Sequence, residues 1–388
     1  MLKRGKLTKR INLTAAFNPE SLSGVILIAC VVLSLLIANS PLGKYFEAFL
    51  AETFGLGHLQ LSVLSWVNDG LMAIFFFLIG LEIKQEMVDG HLSNFKKASV
   101  PVFAAVGGAI IPALLYLLLN NGASTAAGWG IPMATDIAFA LGILSLLGKL
   151  VPASLKAFLS TLAVVDDLLA IVVIAIFYSD GLSWHNLMLA LGIFLLLLVM
   201  NKAGVKNTIF YIIPGMVMWY FVHHSGVHAT IAGVLTAIAI PVRSKNGSPL
   251  KNLAHKLAGP VNYIIMPLFA IANTNIRFDT TMLSGIGSRL GIGIMLALVF
   301  GKPIGVMLAS WLSVKLNIGK LPDNVSWQLI AGVGILAGVG FTMSIFISFL
   351  SFGHSLHNTE AKLSILIASI VSGTLGYVYL QRSLKTRI

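Results

Sequence analysis

The chain reads as an all-α polytopic membrane protein of about twelve transmembrane helices, built as inverted repeats with two interrupted helices that cross. Three observations lead there: an apolar composition, a one-sided distribution of basic residues, and matching breaks in the fourth and eleventh apolar segments. Of its 388 residues, 57% are hydrophobic and only 10% charged, against about one quarter charged in a soluble domain. The mean hydropathy is +0.91. So few charges cannot cover a water-soluble body of this size, so lipid is the main solvent. The formal charge of +12 does not signal nucleic-acid binding. The basic residues sit in short connections between apolar runs, not on a face that could read or stack bases. The single cysteine, Cys30, lies within an apolar run and excludes any disulfide or cysteine metal framework in one chain.

A helix needs about 20 apolar residues to cross the hydrocarbon core. By that measure spans lie at about 21–39, 62–84, 98–119, 126–147, 154–178 and 183–201, and again at about 206–222, 226–242, 255–273, 289–313, 326–352 and 359–381. Residues 1–20 form a basic tail, and residues 21–388 a single membrane transport domain with repeats at about 98–178 and 289–381. The MLKRGKLTKR start resembles the charged region of a signal peptide, but many spans follow it, and a retained first helix is the better reading. Most of the 26 Lys and Arg fall in the tail and in the alternate connections on its side. The opposite side carries only Lys44, Arg277, Arg289 and Lys362. This bias puts both termini in the cytoplasm. It also isolates Lys302 as a lysine within the membrane.

The fourth segment, GWGIPMATDIAFALGIL, contains Pro132 followed by Thr135 and Asp136. The eleventh, AGVGILAGVGFTMSIF, contains Gly332, Gly334, Gly338 and Gly340 before Thr342 and Ser344. Non-helical backbone at mid-membrane depth survives only when buried in protein or lining a cavity. Each break falls in the middle helix of three, and such a corresponding pair is the mark of an inverted-repeat transporter fold with its site at the crossing. There the half-helix ends carry about half an elementary charge each. Asp136 can offset the positive ends and Lys302 the negative ones.

Ionisable groups inside spans mark transport paths. The pair Asp166 and Asp167, in STLAVVDDLLAIVVIAIF, is the most informative feature. Desolvation and a neighbouring like charge both favour protonated carboxyls, and a small cation that prefers oxygen ligands competes for the same atoms. Ion and proton competing for one site is the minimum requirement for exchange. Adjacent residues on a helix point about 100° apart, so one acid faces the ion path and the other a neighbouring helix, where Lys302 is the natural partner. A purely structural Asp–Lys bridge is the bland alternative, but it leaves the second acid unexplained.

Other candidates carry less. Asp69, in WVNDG, lies near the external end of its helix, as a mouth residue or a helix-entry cap. Glu82 and Glu86 form either an acidic cytoplasmic entrance or a solvated helix end. His223, His224 and His228 resemble a metal cluster, yet the local sequence offers no carboxylate or cysteine beside them. His228 reads either as a pH-responsive contact or as an ordinary satisfied histidine. The segment 46–62, with Gly55 and Gly57 around a turn, is either an external hairpin and homodimer contact or a disordered loop.

The segments WVNDGLMAIFFFLIGLEIK, IPMATDIAFALGIL, LAVVDDLLAI, SGVHATIAGV, FGKPIG and GVGFTMSIF resemble, in order and spacing, the NhaA family of sodium/proton antiporters, from about Ser23 to Tyr379. The resemblance implies that Asp167 is the principal ligand of Na⁺ or Li⁺, with Asp166 close by and paired to Lys302. It implies that Thr135 and Asp136 belong to the helix crossing. It places a cytoplasmic funnel toward Asp167 and a periplasmic one near Asp69. It further implies an electrogenic antiporter without a cofactor in the bacterial inner membrane. Such a protein expels the cation for more than one proton and serves sodium and pH homeostasis. The chain departs from the family at the cytoplasmic mouth. Gln85 stands where an arginine is expected, and Ala254, beside His255, where an acid is expected. Glu82, Glu86, His228 and His255 are the candidate pH-responsive groups, so the pH profile is where this chain should differ.

Three other classes fit less well. An intramembrane aspartyl protease needs two aspartates facing across a water from different helices, whereas Asp166 and Asp167 are neighbours. An ion channel is not excluded by broken helices. An anion or bile-acid symporter on this scaffold has no use for two carboxylates paired with Lys302.

Overall fold

A long apolar run in lipid cannot bond its backbone to water, so it bonds to itself, and this chain does so almost entirely as helices. The computed structural model describes residues 19–57, 59–93, 95–179, 181–243, 247–278 and 285–386. The expected basic tail therefore lies, but for its last residues, outside the described part. Helix α1 (Pro19–Ala38) turns by 107° into α2 (Gly43–Ala51). Strands β1 (Thr53–Leu56) and β2 (Leu59–Ser62) then pair antiparallel, with Gly57 at φ +58° in the turn between them. The described residues of segment 46–62 are thus a helix end and a hairpin.

The helices that follow are α3 (Val63–Asp89), α4 (Phe95–Asn120), α5 (Ser124–Met133), α6 (Ile137–Ser145), α7 (Ala153–Phe177) and α8 (Trp184–Lys202). Next come α9 (Ile209–His223), α10 (Ile231–Ala239), α11 (Pro249–Pro260) and α12 (Met266–Asn273), the last two joined by a widened turn, Val261–Ile265. The chain ends with α13 (Arg289–Lys315), α14 (Trp327–Ala337), α15 (Phe341–Phe352) and α16 (Leu356–Lys385). Among the described residues six helices are long and apolar enough to cross a membrane alone, and nine spans result if each bent pair is one. The other three of the twelve expected spans fall on α9, α10 and the α11–α12 pair, which are shorter or more polar.

Both interrupted segments are broken where the sequence places the breaks. Pieces α5 and α6 bend by 42° around residues 134–136, and α14 and α15 by 45° around residues 338–340. The order long, broken, long occurs twice, as α4, α5/α6, α7 and as α13, α14/α15, α16. Helices α4 and α13 run antiparallel: Gly107 meets Gly305, Pro112 meets Gly301, and Asn120 Nδ2 donates to Arg289 O at 3.2 Å. Glycines permit this approach, because a Cβ on either Gly107 or Gly305 would run into the other's backbone. The two breaks also lie against each other in opposite directions. Asp136 N donates to Val339 O at 2.7 Å, and Ser344 Oγ to Ile131 O at 2.7 Å.

Asp136 holds this crossing. One carboxylate oxygen accepts from Phe139 N at 3.0 Å, at the start of α6, and the other from Thr342 N at 3.1 Å and from the Thr342 hydroxyl, at the start of α15. One side chain thus caps two half-helix N-termini. Replacing Asp136 by Ala should lower stability by about 2 kcal/mol or more, two caps being lost together, while Asp136→Asn should cost less; thermal melts of the purified variants measure this. Gly305→Val should cost about 1–3 kcal/mol by overpacking, and Gly192→Ala, where a Cβ meets nothing within 4 Å, should leave the melt unchanged.

Candidate functional site

The site follows from how α7 is turned. Ser160, Val164 and Asp167 recur at helical spacing and line one cavity of about 340 Å³. Asp166, about 100° round the helix, points away from it toward α13. The same cavity is lined by Glu82, Gln85 and Glu86 of α3, by Asn262 in the widened turn, and by Asp136 and Thr342 at the crossing. Glu82 and Glu86 therefore line the same cavity as Asp167. Both aspartates are 1% exposed.

Lys302, fully buried on α13, donates to Asp166 Oδ2 at 2.6 Å and to the Met133 carbonyl. Met133 is the last residue of α5, so the ammonium stands at one of the two negative half-helix ends. The other, Ala337 O at the end of α14, receives the Thr135 hydroxyl at 2.9 Å. That hydroxyl also lies 2.6 Å from Asp166 Oδ2, and its single hydrogen is shared between the two acceptors. Lys302, expected at the negative ends, stands at one of them, and Thr135 serves the other.

Asp166 Oδ1 and Asp167 Oδ1 are buried without a hydrogen-bond partner. Buried carboxylate oxygens without donors are costly, and both a proton and a small hard cation satisfy them. Hard monovalent and divalent cations favour such oxygens. No group of three or more His, Cys, Asp or Glu side chains converges as a metal site among the described residues. An ion here would therefore draw on two carboxylates with hydroxyl and carbonyl oxygens around them.

The remaining candidates separate. Asp69 stands at the opposite end of α3 from Glu82, in a widened turn, Trp66–Leu71. His228 Nε2 approaches its carboxylate at 3.5 Å and His223 Nδ1 at 3.9 Å, so a carboxylate does stand beside this histidine pair, from more than 150 residues away in the chain. His224 instead bonds Tyr220 O at 2.8 Å. His255 is exposed on α11 and does not line the cavity, and the buried Ala254 next to it leaves no charge there. Ser160 and Asn262 are cavity residues that the sequence reading missed. The spacing of Ser160 from Asp167 by two turns, and a lone Asn within an apolar run, are the signals that point to them.

Comparison with known proteins identifies the family. Residues 14–380 match the family model described as Na⁺/H⁺ antiporter 1. The Na(+)/H(+) antiporter NhaA 2 of Flavobacterium johnsoniae is 54% identical over 98% of this chain and 96% of its own length. The Na(+)/H(+) antiporter NhaA of Flavobacterium psychrophilum is 50% identical over 96% of each. A solved sodium proton antiporter from Methanocaldococcus jannaschii, MjNhaP1, covers 96% of each chain at 12% identity, with a TM-score of 0.47. On the full-length family match and on relatives at half identity, the chain belongs to the Na⁺/H⁺ antiporter 1 family.

Proposed function

We propose that the chain performs the sodium/proton antiport of its family by letting Na⁺ and protons compete for Asp166 and Asp167, with Asp167 the principal ligand. The observation that carries this reading is Asp167 lining a cavity that begins among acidic side chains, with a buried oxygen that nothing else satisfies. Asp166 is held by Lys302 and Thr135 while protons or the ion occupy the pair, and Asp136 holds the crossing around it. Two carboxylates can release two protons for one monovalent cation, so exchange with more than one proton per ion is electrogenic. Lithium, with the same charge and oxygen preference, is a second cargo. The protein needs no cofactor and is a secondary transporter, not an enzyme.

The proposed setting is the bacterial cytoplasmic membrane, with both termini inside. Glu82 and Glu86 then face the cytoplasm, and Asp69 with His228 the external side. Repeats at about 98–178 and 289–381 within the single domain supply the two broken helices. The external segment 46–62 is the proposed homodimer contact. With Gln85 and Ala254 at the mouth, Glu82 and Glu86 are left as its acidic groups, while His255 and His228 are the histidines available for a pH response.

In inside-out vesicles carrying a pre-formed pH gradient, NaCl and LiCl should dissipate it. Asp167→Asn should reduce that response by roughly 100-fold, equivalent to about 3 kcal/mol for one lost charged ligand. Normal exchange by Asp167→Asn would remove Asp167 from the site.

A further inference from the structure

Helix α13 contains a widened turn, Ala297–Gly301, directly before Lys302. Packing holds the turn wide. Gly293 lies against Tyr116 and Asn120 of α4, and Gly305 against Gly107. A regular helix would set Gly293 and Gly305 about 120° apart, and one extra residue in the turn brings them to within about 20°. The wide turn leaves the Leu298 carbonyl open. Lys302 N, which a regular helix would aim at it, donates to Ala297 O instead, and Pro303, next in line, has no N–H. A carbonyl without a donor is costly at membrane depth. Closing the turn to supply one would unseat one end of α13 from α4, so the donor must come from another helix.

Leu298 O faces the break between α14 and α15, where a Cβ on Gly338 would run into it. The same Cβ would meet Ser372 Oγ of α16 at 2.7 Å. Helix α16 turns two serines toward this break, and they are used differently. Ser369 Oγ accepts from Phe341 N at 3.2 Å, at the start of α15. Ser372 Oγ is fully buried and has no hydrogen-bond partner. An open acceptor on α13 and an unused donor on α16 therefore lie against one glycine, whose backbone stands between them. We propose that Ser372 donates to Leu298 O in the second conformation of the exchange cycle, when the break draws Gly338 out from between them. Ser372 is then a positioning residue, which holds the crossing in the state opposite to the one seen here. Two buried polar groups that lack partners in one state and satisfy each other in another favour the latter. The proposal rests on the exchange read for Asp166 and Asp167, which requires the crossing to move, although Ser372 itself does not line the cavity of Asp167.

The test uses the full chain in proteoliposomes, with the Na⁺-driven change of internal pH as readout and thermal melts of the same preparations beside it. Ser372→Ala should lower the maximal exchange rate about fivefold, as expected for one lost hydrogen bond. Its apparent KM for Na⁺ should stay within about twofold of wild type, because no ion contact is removed. Its melting temperature should equal or exceed that of wild type, since an unpaired buried hydroxyl contributes nothing to the state seen here. Ser372→Cys, a weaker donor of similar size, should exchange at a rate between the two. Wild-type exchange by Ser372→Ala overturns the proposal. So does a loss of rate that comes with a lower melting temperature or a failure to fold, which would make Ser372 a packing residue. The failure modes are distinct. Normal exchange by Asp167→Asn would remove the ion site and leave this order of rates standing, whereas equal rates across the Ser372 variants would remove the latent bond while Asp167→Asn stays inactive.

Discussion

Four half-helix ends meet at one crossing inside a lipid-soluble body, and their charge must be satisfied there without water. Everything around Asp166 and Asp167 depends on how that is done. Asp136 serves both N-terminal ends from one carboxylate. Lys302 and the Thr135 hydroxyl serve one C-terminal end each. Because Lys302 and Thr135 both also reach Asp166 Oδ2, the Asp166 carboxylate and the integrity of the crossing depend on the same two side chains. A buried pair alone is weak evidence for stability. A buried pair that also caps broken backbone has a structural reason to be there, and a route by which a proton or ion can disturb the backbone.

The adjacency of Asp166 and Asp167 then takes on meaning through helix geometry. The rotation of about 100° between neighbours sends one into the crossing and the other into the cavity. A conserving swap of the two side chains' roles would require turning α7, whose flanking residues Leu162, Ala163, Val164 and Val165 are all buried. The division of labour is therefore fixed by packing as much as by chemistry.

Much of this was legible in the chain, and the rest was hidden for identifiable reasons. Pro132, Gly338 and Gly340 mark both breaks, and Asp136 sits beside one of them. Lys302 stands out because the basic residues otherwise gather in connections. The carbonyl oxygens of Met133 and Ala337 could not be anticipated, since every residue has one and only the local unwinding exposes these two. Asp69 and the histidines 223 and 228 are far apart in sequence, so their approach depends on tertiary packing alone. The widened turns at 66–71 and 261–265 leave no composition signal, although they carry Asp69 and Asn262.

If cation and protons share the oxygens of Asp166 and Asp167, each Na⁺ that binds must displace protons. Calorimetric titration of the purified protein with NaCl, in buffers of different ionisation enthalpy, counts the protons released as Na⁺ binds. The account predicts release of more than one proton per Na⁺, and less release in Asp166→Asn. Sodium binding that releases no proton would contradict it.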